Sequence, residues 1–176
     1  MKSILLFLAD GFEEIEALTV VDYLRRLGIV VDTCSITGGR EVKGAHEIIV
    51  LADKILGEIG EIKAYDGVVI PGGMPGSTNL RDKKLIGAIC AGPIVLEEAG
   101  ILENIEITSY PGFEEELGGL YKEDIVVQDK NIITARGPAV AVYFALKIVE
   151  NLLDKNKVED LKKDILLDMV ENYIKA

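Results

Sequence analysis

The chain has 176 residues, 49% hydrophobic and 28% charged, with a formal net charge of -11. This length and balance suit a single soluble domain, 1–176, with a sizeable core. The acidic excess leaves no basic footprint for nucleic acid or an anionic membrane surface, and the two cysteines are too few for a disulfide framework, which points to a reducing, cytoplasmic setting.

The apolar start, residues 4–9, is too short for a secretory leader and is broken by Asp10. No apolar run is long enough to span a bilayer. Residues 3–9 instead read as a strand buried on both faces. Asp10-Gly11-Phe12 makes a turn. Residues 13–27 carry Ile15, Leu18, Val21, Leu24 and Leu27 at helical spacing and stop at Gly28. Glu13, Glu14 and Glu16 crowd the first turn, where acids complement the dipole of an exposed helix start. Residues 29–36 are a second strand, so the span is a parallel βαβ unit.

A short strand at 47–51 and a short helix or turn at 54–59 precede another buried strand, 64–70. That strand runs into Pro71-Gly72-Gly73-Met74-Pro75-Gly76-Ser77. Backbone N–H groups of such a loop suit an anion. This loop lacks the Lys-Ser/Thr of a P-loop and the spacing of a dinucleotide fingerprint. Only 71–83 joins it to the next strand, so at most one or two helical turns are expected in a crossover that usually holds a helix.

The stretch Lys84-Leu85-Ile86-Gly87-Ala88-Ile89-Cys90-Ala91-Gly92-Pro93 organises the chain. An apolar run climbs to Cys90, small residues follow, and Pro93 opens an apolar segment, 94–99, ended by Gly100. The pattern is strand, sharp turn, helix. Ala88 and Gly92 stand two residues either side of Cys90, the spacing of a nucleophile elbow. A thiol so placed lies at a helix N-terminus, which favours the thiolate. The alternative is a buried structural cysteine.

Downstream, 105–109 reads as a short strand, and 125–128 with 132–135 as a β-hairpin. Residues 139–153 form a long helix with Val140, Phe144, Ile148 and Leu152 toward the sheet. Residues 158–174 form a last amphipathic helix with Leu161, Ile165, Met169 and Tyr173 in phase. Alternating strands and helices imply a doubly wound, mainly parallel α/β/α sandwich with its site at the carboxyl ends of the strands. The segments 10–16, 72–76 and 90–93 all follow such ends. The sole histidine, His46, is expected at the surface or rim, and Cys34 in the core. No Cys/His cluster has metal-ligand spacing, so no metal or other cofactor is expected.

Four pieces carry a resemblance. They are Ala9-Asp10-Gly11-Phe12-Glu13-Glu14-Ile15-Glu16, Tyr65-Asp66-Gly67-Val68-Val69-Ile70-Pro71-Gly72-Gly73, Ala88-Ile89-Cys90-Ala91-Gly92-Pro93 and Thr134-Ala135-Arg136-Gly137-Pro138. Occurring in this order, they resemble the ThiJ/PfpI superfamily, specifically its DJ-one branch. The resemblance implies a flavodoxin-like fold and a homodimer. It implies that Cys90 pairs with Glu16 and that the backbone N–H groups of Gly73 and Ala91 flank the thiol. Gly72, Tyr110 and Pro111 would line the site. Tyr110-Pro111 stands where many members have His-Pro.

Without a histidine beside Cys90, the thiol–imidazole chemistry of a peptidase or glutamine amidotransferase lacks its base. Two functions stand beside each other. In the first, the resemblance implies a cofactor-independent glyoxalase or deglycase: Cys90 adds to a small reactive dicarbonyl such as methylglyoxal, or to a glycated substrate, and Glu16 moves the proton. In the second, Cys90 is a stress-response sensor oxidised to sulfenate or sulfinate. In both, Glu16 is expected to hold the shared proton with a raised pKa, while Cys90 is depressed.

Overall fold

The computed structural model describes residues 1–72 and 84–175. The first strand, β1 (Ser3–Leu8), shows why residues 3–9 carry no polar face. Ile4, Leu6 and Leu8 belong to one apolar cluster, and Leu5 and Phe7 to another on the opposite face of the sheet. A strand buried on both sides needs a helical layer on each. On the first side lie α1 (Glu14–Arg26), α3 (Ala141–Leu152) and Leu161 of α4 (Lys155–Asp164). On the second lie α2 (Pro93–Glu98) and the segment carrying Leu102, Ile105 and Ile107.

The main sheet adds β2 (Val30–Ser35), β5 (Lys54–Ile55), β6 (Gly67–Ile70), β7 (Leu85–Ile89), β10 (Val126–Asp129) and β11 (Ile132–Ala135) to β1. Its order is β10-β11-β7-β6-β1-β2-β5. Every pairing is parallel except the β10–β11 hairpin. The fold is therefore a mainly parallel, flavodoxin-like α/β/α sandwich. The chain builds outward from β1 through β2, then crosses to add β6 and β7 on the other side. The strand order reverses between β1 and β6, and such a switch point opens a crevice at the carboxyl ends.

Two small ladders stand outside this sheet. β3 (Glu41–Lys43) pairs antiparallel with β4 (Ile49–Leu51), and β8 (Glu106–Ile107) pairs with β9 (Leu120–Tyr121). The strand expected at 105–109 thus shrinks to β8, in a ladder of its own. The segment 54–59 starts as edge strand β5 before a short 3-10 turn. β3 and β9 are too short to leave a periodic trace.

Two helical expectations are corrected. In α1 the inward stripe is Ala17, Val20, Val21 and Leu24, while Ile15 is 58% and Leu18 37% exposed. The two outward residues lie on the flank of the stripe rather than in it. The single helix expected over 158–174 is two helices, α4 and α5 (Leu167–Lys175). Leu166 between them has φ +61°, a left-handed residue that redirects the chain. Helical phase does not carry across such a break, and Met169 and Tyr173 end up 62% and 85% exposed. The expectation of a shortened crossover at 71–83 falls almost wholly on 73–83, outside the described residues.

Candidate active site

Three strand ends meet at the switch point. After β1 the chain turns, with Phe12 N–H donating to Ala9 O at 3.0 Å and the Phe12 ring fully buried beneath the turn. This anchors the start of α1 and brings Glu16 inward, where it is 0% exposed. The reading of Glu13, Glu14 and Glu16 as an exposed helix start is therefore wrong for Glu14 and Glu16, both buried. After β6, Pro71 and Gly72 bring a backbone N–H beside β1's end. After β7 comes Cys90.

Cys90 has φ +63°. A side chain in this region costs roughly 1–2 kcal/mol, so neighbouring bonds must hold it. Cys90 N–H donates to Ala135 O at 2.9 Å, and Cys90 O accepts from Tyr110 N–H at 3.0 Å. Gly92 N–H closes the turn on Ile89 O at 2.8 Å. A Cβ on Gly92 would lie 2.7 Å from Ile70 O and 2.9 Å from Ile89 O, contacts with backbone that cannot give way. The small residue after the thiol is thus a steric requirement of the elbow.

Glu16 Oε2 accepts the Gly72 N–H at 2.8 Å. Among the described residues, the buried Oε1 has no N–H or O–H partner. A Cβ on Gly72 would lie 2.8 Å from Glu16 Oε2 and 3.3 Å from Cys90 Sγ, so carboxyl and thiol converge on one glycine. Burial pushes the Glu16 carboxyl up to about 7, against the Gly72 N–H and a hydrogen bond with the Cys90 thiol. Burial, then the negative charge of Glu16, pushes the Cys90 thiol up to about 12, with the Ala91 N–H pulling the other way. The expected depressed thiol is not what this geometry makes. Helix α2 has 6 residues, too short to supply a strong dipole, and the half-buried sulfur faces a carboxylate. What the pair can do is trade one proton: a carboxyl near 7 is matched to take a thiol proton near neutrality and return it.

Of the other expected site residues, Ala91 places its N–H on the sulfur. Gly72 lies between the two side chains. Tyr110 reaches the site through its backbone; its ring, 48% exposed, packs over Gly137, and Pro111 beside it is exposed. Gly73 lies outside the described residues. Cys34 is buried in the core, as expected. His46 sits at the rim but is engaged, its Nδ1 lying 2.9 Å from Glu14 Oε2. Glu13, Glu14 and His46 bring possible ligand atoms within 4.8 Å of one another, yet both Glu14 oxygens are taken by His46. The Glu14–His46 contact was invisible in the sequence, since the residues are 32 apart and three glutamates at one helix start look alike.

Residues 2–151 match the family model described as the DJ-1/PfpI family. The chain belongs to this family. It is 38% identical over 183 residues to Protein dj-1beta of Drosophila melanogaster, covering 94% of this chain and 97% of the relative. It is 31% identical over 189 residues to the Glutathione-independent glyoxalase DJ-1 of Schizosaccharomyces pombe, covering 94% and 98%. The crystal structure of Drosophila melanogaster DJ-1beta matches with a TM-score of 0.85 at 37% identity, covering 94% of this chain and 97% of that one. Among the described residues of this DJ-1/PfpI chain, no helix is long and apolar enough to cross a membrane.

Proposed function

We propose that this DJ-1/PfpI protein converts small reactive dicarbonyls, methylglyoxal as the type, into 2-hydroxy acids through Cys90 and Glu16, without a cofactor. The observation that carries this reading is a fully buried carboxyl, raised to about 7, packed with an elbow thiol around one backbone N–H. The Cys90 thiol adds to the aldehyde carbon as Glu16 takes its proton and passes it to the carbonyl oxygen, giving a hemithioacetal. The Glu16 carboxylate then removes the proton from that carbon, giving an enediol, and returns a proton to the neighbouring carbon. The product is a thioester of the 2-hydroxy acid. One water hydrolyses it, releasing lactate and restoring the thiol.

The glyoxalase named among the relatives supports the reaction class. Removal of early glycation adducts is the same carbonyl chemistry and belongs to the same proposal. The sensor reading is weaker, because oxidation needs a thiolate and this thiol is held up to about 12. A reduced, cytoplasmic thiol suits the reaction. We also propose a homodimer, since Ile15, Leu18, Ile49 and Leu51 leave α1 and β4 with exposed apolar faces. The experiment is lactate release from methylglyoxal under reducing conditions. Wild type should release it and Cys90→Ala should not; equal rates would overturn the proposal.

A further inference from the structure

The start of α1 carries Glu16, and the loop between β3 and β4 ties that start down. Gly11 N–H donates to Lys43 O at 2.7 Å, Lys43 N–H to Asp10 Oδ1 at 3.0 Å, and Ala45 N–H to Phe12 O at 2.9 Å. The deepest tie is a side chain. Glu14 is 4% exposed, its Oε1 accepts the His46 N–H at 2.8 Å, and its Oε2 lies 2.9 Å from His46 Nδ1. A carboxylate only accepts, so Nδ1 carries the proton. A Cβ on Gly44 would fall 2.2 Å from Glu14 Oε1, so a glycine is required for the loop to come this close. Burial pushes the Glu14 carboxyl up, but the His46 hydrogen bonds outweigh it and hold it down to about 2, so Glu14 stays charged.

Glu14 and Glu16 are two positions apart on a helix and therefore point to different sides of it. Glu14 reaches the β3–β4 loop, and Glu16 reaches Gly72 and Cys90. Between them Glu13 N–H donates to Gly72 O at 3.3 Å. The first turn of α1 is thus held between the loop and the crevice. We infer that the Glu14–His46 pair is a positioning device for Glu16, fixing the height at which its carboxyl meets the Cys90 thiol. This rests on the Cys90–Glu16 reading above. Hydrogen bonding and burial do the work, because a neutral His46 still donates through Nδ1. Among the described residues, the charged groups near the pair are Glu13, 3.8 Å from His46 Nδ1, the Lys43–Glu47 ion pair on the loop, and Asp10, which accepts the Lys43 N–H. Those facing Glu16 are Glu13 and Cys90.

The test reads both turnover and the pH profile of Cys90 alkylation by iodoacetamide, with buried Cys34 silent. Charging Glu16 alters the thiol, so wild type should show an inflection near 7. Glu14→Ala removes the tie. Gly44→Ala displaces Glu14 without removing any charge. Each should lower kcat by roughly 10- to 100-fold with KM within about twofold, as expected for a misplaced catalytic group. Each should also move the alkylation inflection down toward the ordinary carboxylate range. Glu14→Gln keeps an oxygen for the His46 N–H and should recover most of both readouts. Folded Glu14→Ala and Gly44→Ala proteins with wild-type kcat and an unmoved inflection would overturn the inference. If Glu14→Ala does not fold, Gly44→Ala and His46→Ala decide by the same readouts, since both keep the Glu14 side chain itself. A wild type that makes no lactate would sink the proposed function, while the inflection would still decide the positioning role.

Discussion

Gly72 donates its N–H to Glu16 Oε2 at 2.8 Å, and a side chain at Gly72 would strike both that oxygen and the sulfur of Cys90. Among the described residues, this glycine lies where the carboxyl and the thiol converge. Gly72→Ala should still fold, because the nearest atoms its Cβ meets, Glu16 Oε2 at 2.8 Å, Cys90 Cβ at 3.1 Å and Cys90 Sγ at 3.3 Å, all belong to side chains. It should force carboxyl and thiol apart and lower turnover about 100-fold, as misplacement by an ångström does. Steady-state kinetics with a melting curve check this. Wild-type turnover in a normally folded variant would mean the convergence on Gly72 is incidental.

The raised Glu16 carboxyl has a stability consequence. Its pKa goes from 4.5 to about 7 on folding, chiefly through burial. Between these values the folded chain holds a proton that the unfolded chain has released. Stability therefore falls as pH rises through this window and levels off above it. A shift of this size corresponds to about 3 kcal/mol. Urea unfolding of wild type and Glu16→Gln isolates the effect. Relative to wild type, the variant should gain up to about 3 kcal/mol between pH 5 and pH 8. A difference that stays constant over this range would show that Glu16 titrates normally.

The elbow strain is testable without any substrate. With φ +63°, Cys90 is in a region that glycine occupies freely. Cys90→Gly should be more stable than Cys90→Ala by about 1 kcal/mol, because only alanine keeps the penalised side chain. Denaturant midpoints at equal m-value report this. An alanine variant as stable as the glycine one would mean the backbone relaxes out of the strained state.

The elements that the sequence displayed best are those whose pattern has one cause. Residues 4–9 and 85–89 are apolar throughout because both faces of the sheet are covered, and the small residues around Cys90 answer to the backbone oxygens near Gly92. The pairing of Cys90 with Glu16 came from the family resemblance; periodicity could not supply it, since an inward acid breaks the apolar phase of α1. The same ambiguity hid Glu14, whose burial depends on a loop 32 residues away. The break at Leu166 was hidden because no glycine or proline marks it. At the Cys90 thiol, burial and the facing Glu16 charge, neither of which shows in a linear sequence, prevail over the short α2 dipole.

The exposed apolar residues of α1 and β4 bear on assembly. Leu18→Glu and Ile49→Glu put charges on the face proposed for dimer contact. Light scattering should show wild type as a dimer and the double variant as a monomer with unchanged secondary structure. A wild type that is monomeric at micromolar concentration would remove the proposed interface.

The central claim is that Glu16 carries a proton between adjacent carbons of a substrate held on Cys90. Its most direct test is the fate of hydrogen when wild type converts methylglyoxal in deuterium oxide. A carboxyl that exchanges with solvent should deliver deuterium, so the lactate should carry deuterium at carbon 2, and Glu16→Gln should make none while its Cys90 remains alkylatable. Lactate that keeps the substrate's own hydrogen at carbon 2, or is formed equally well by Glu16→Gln, would contradict the account.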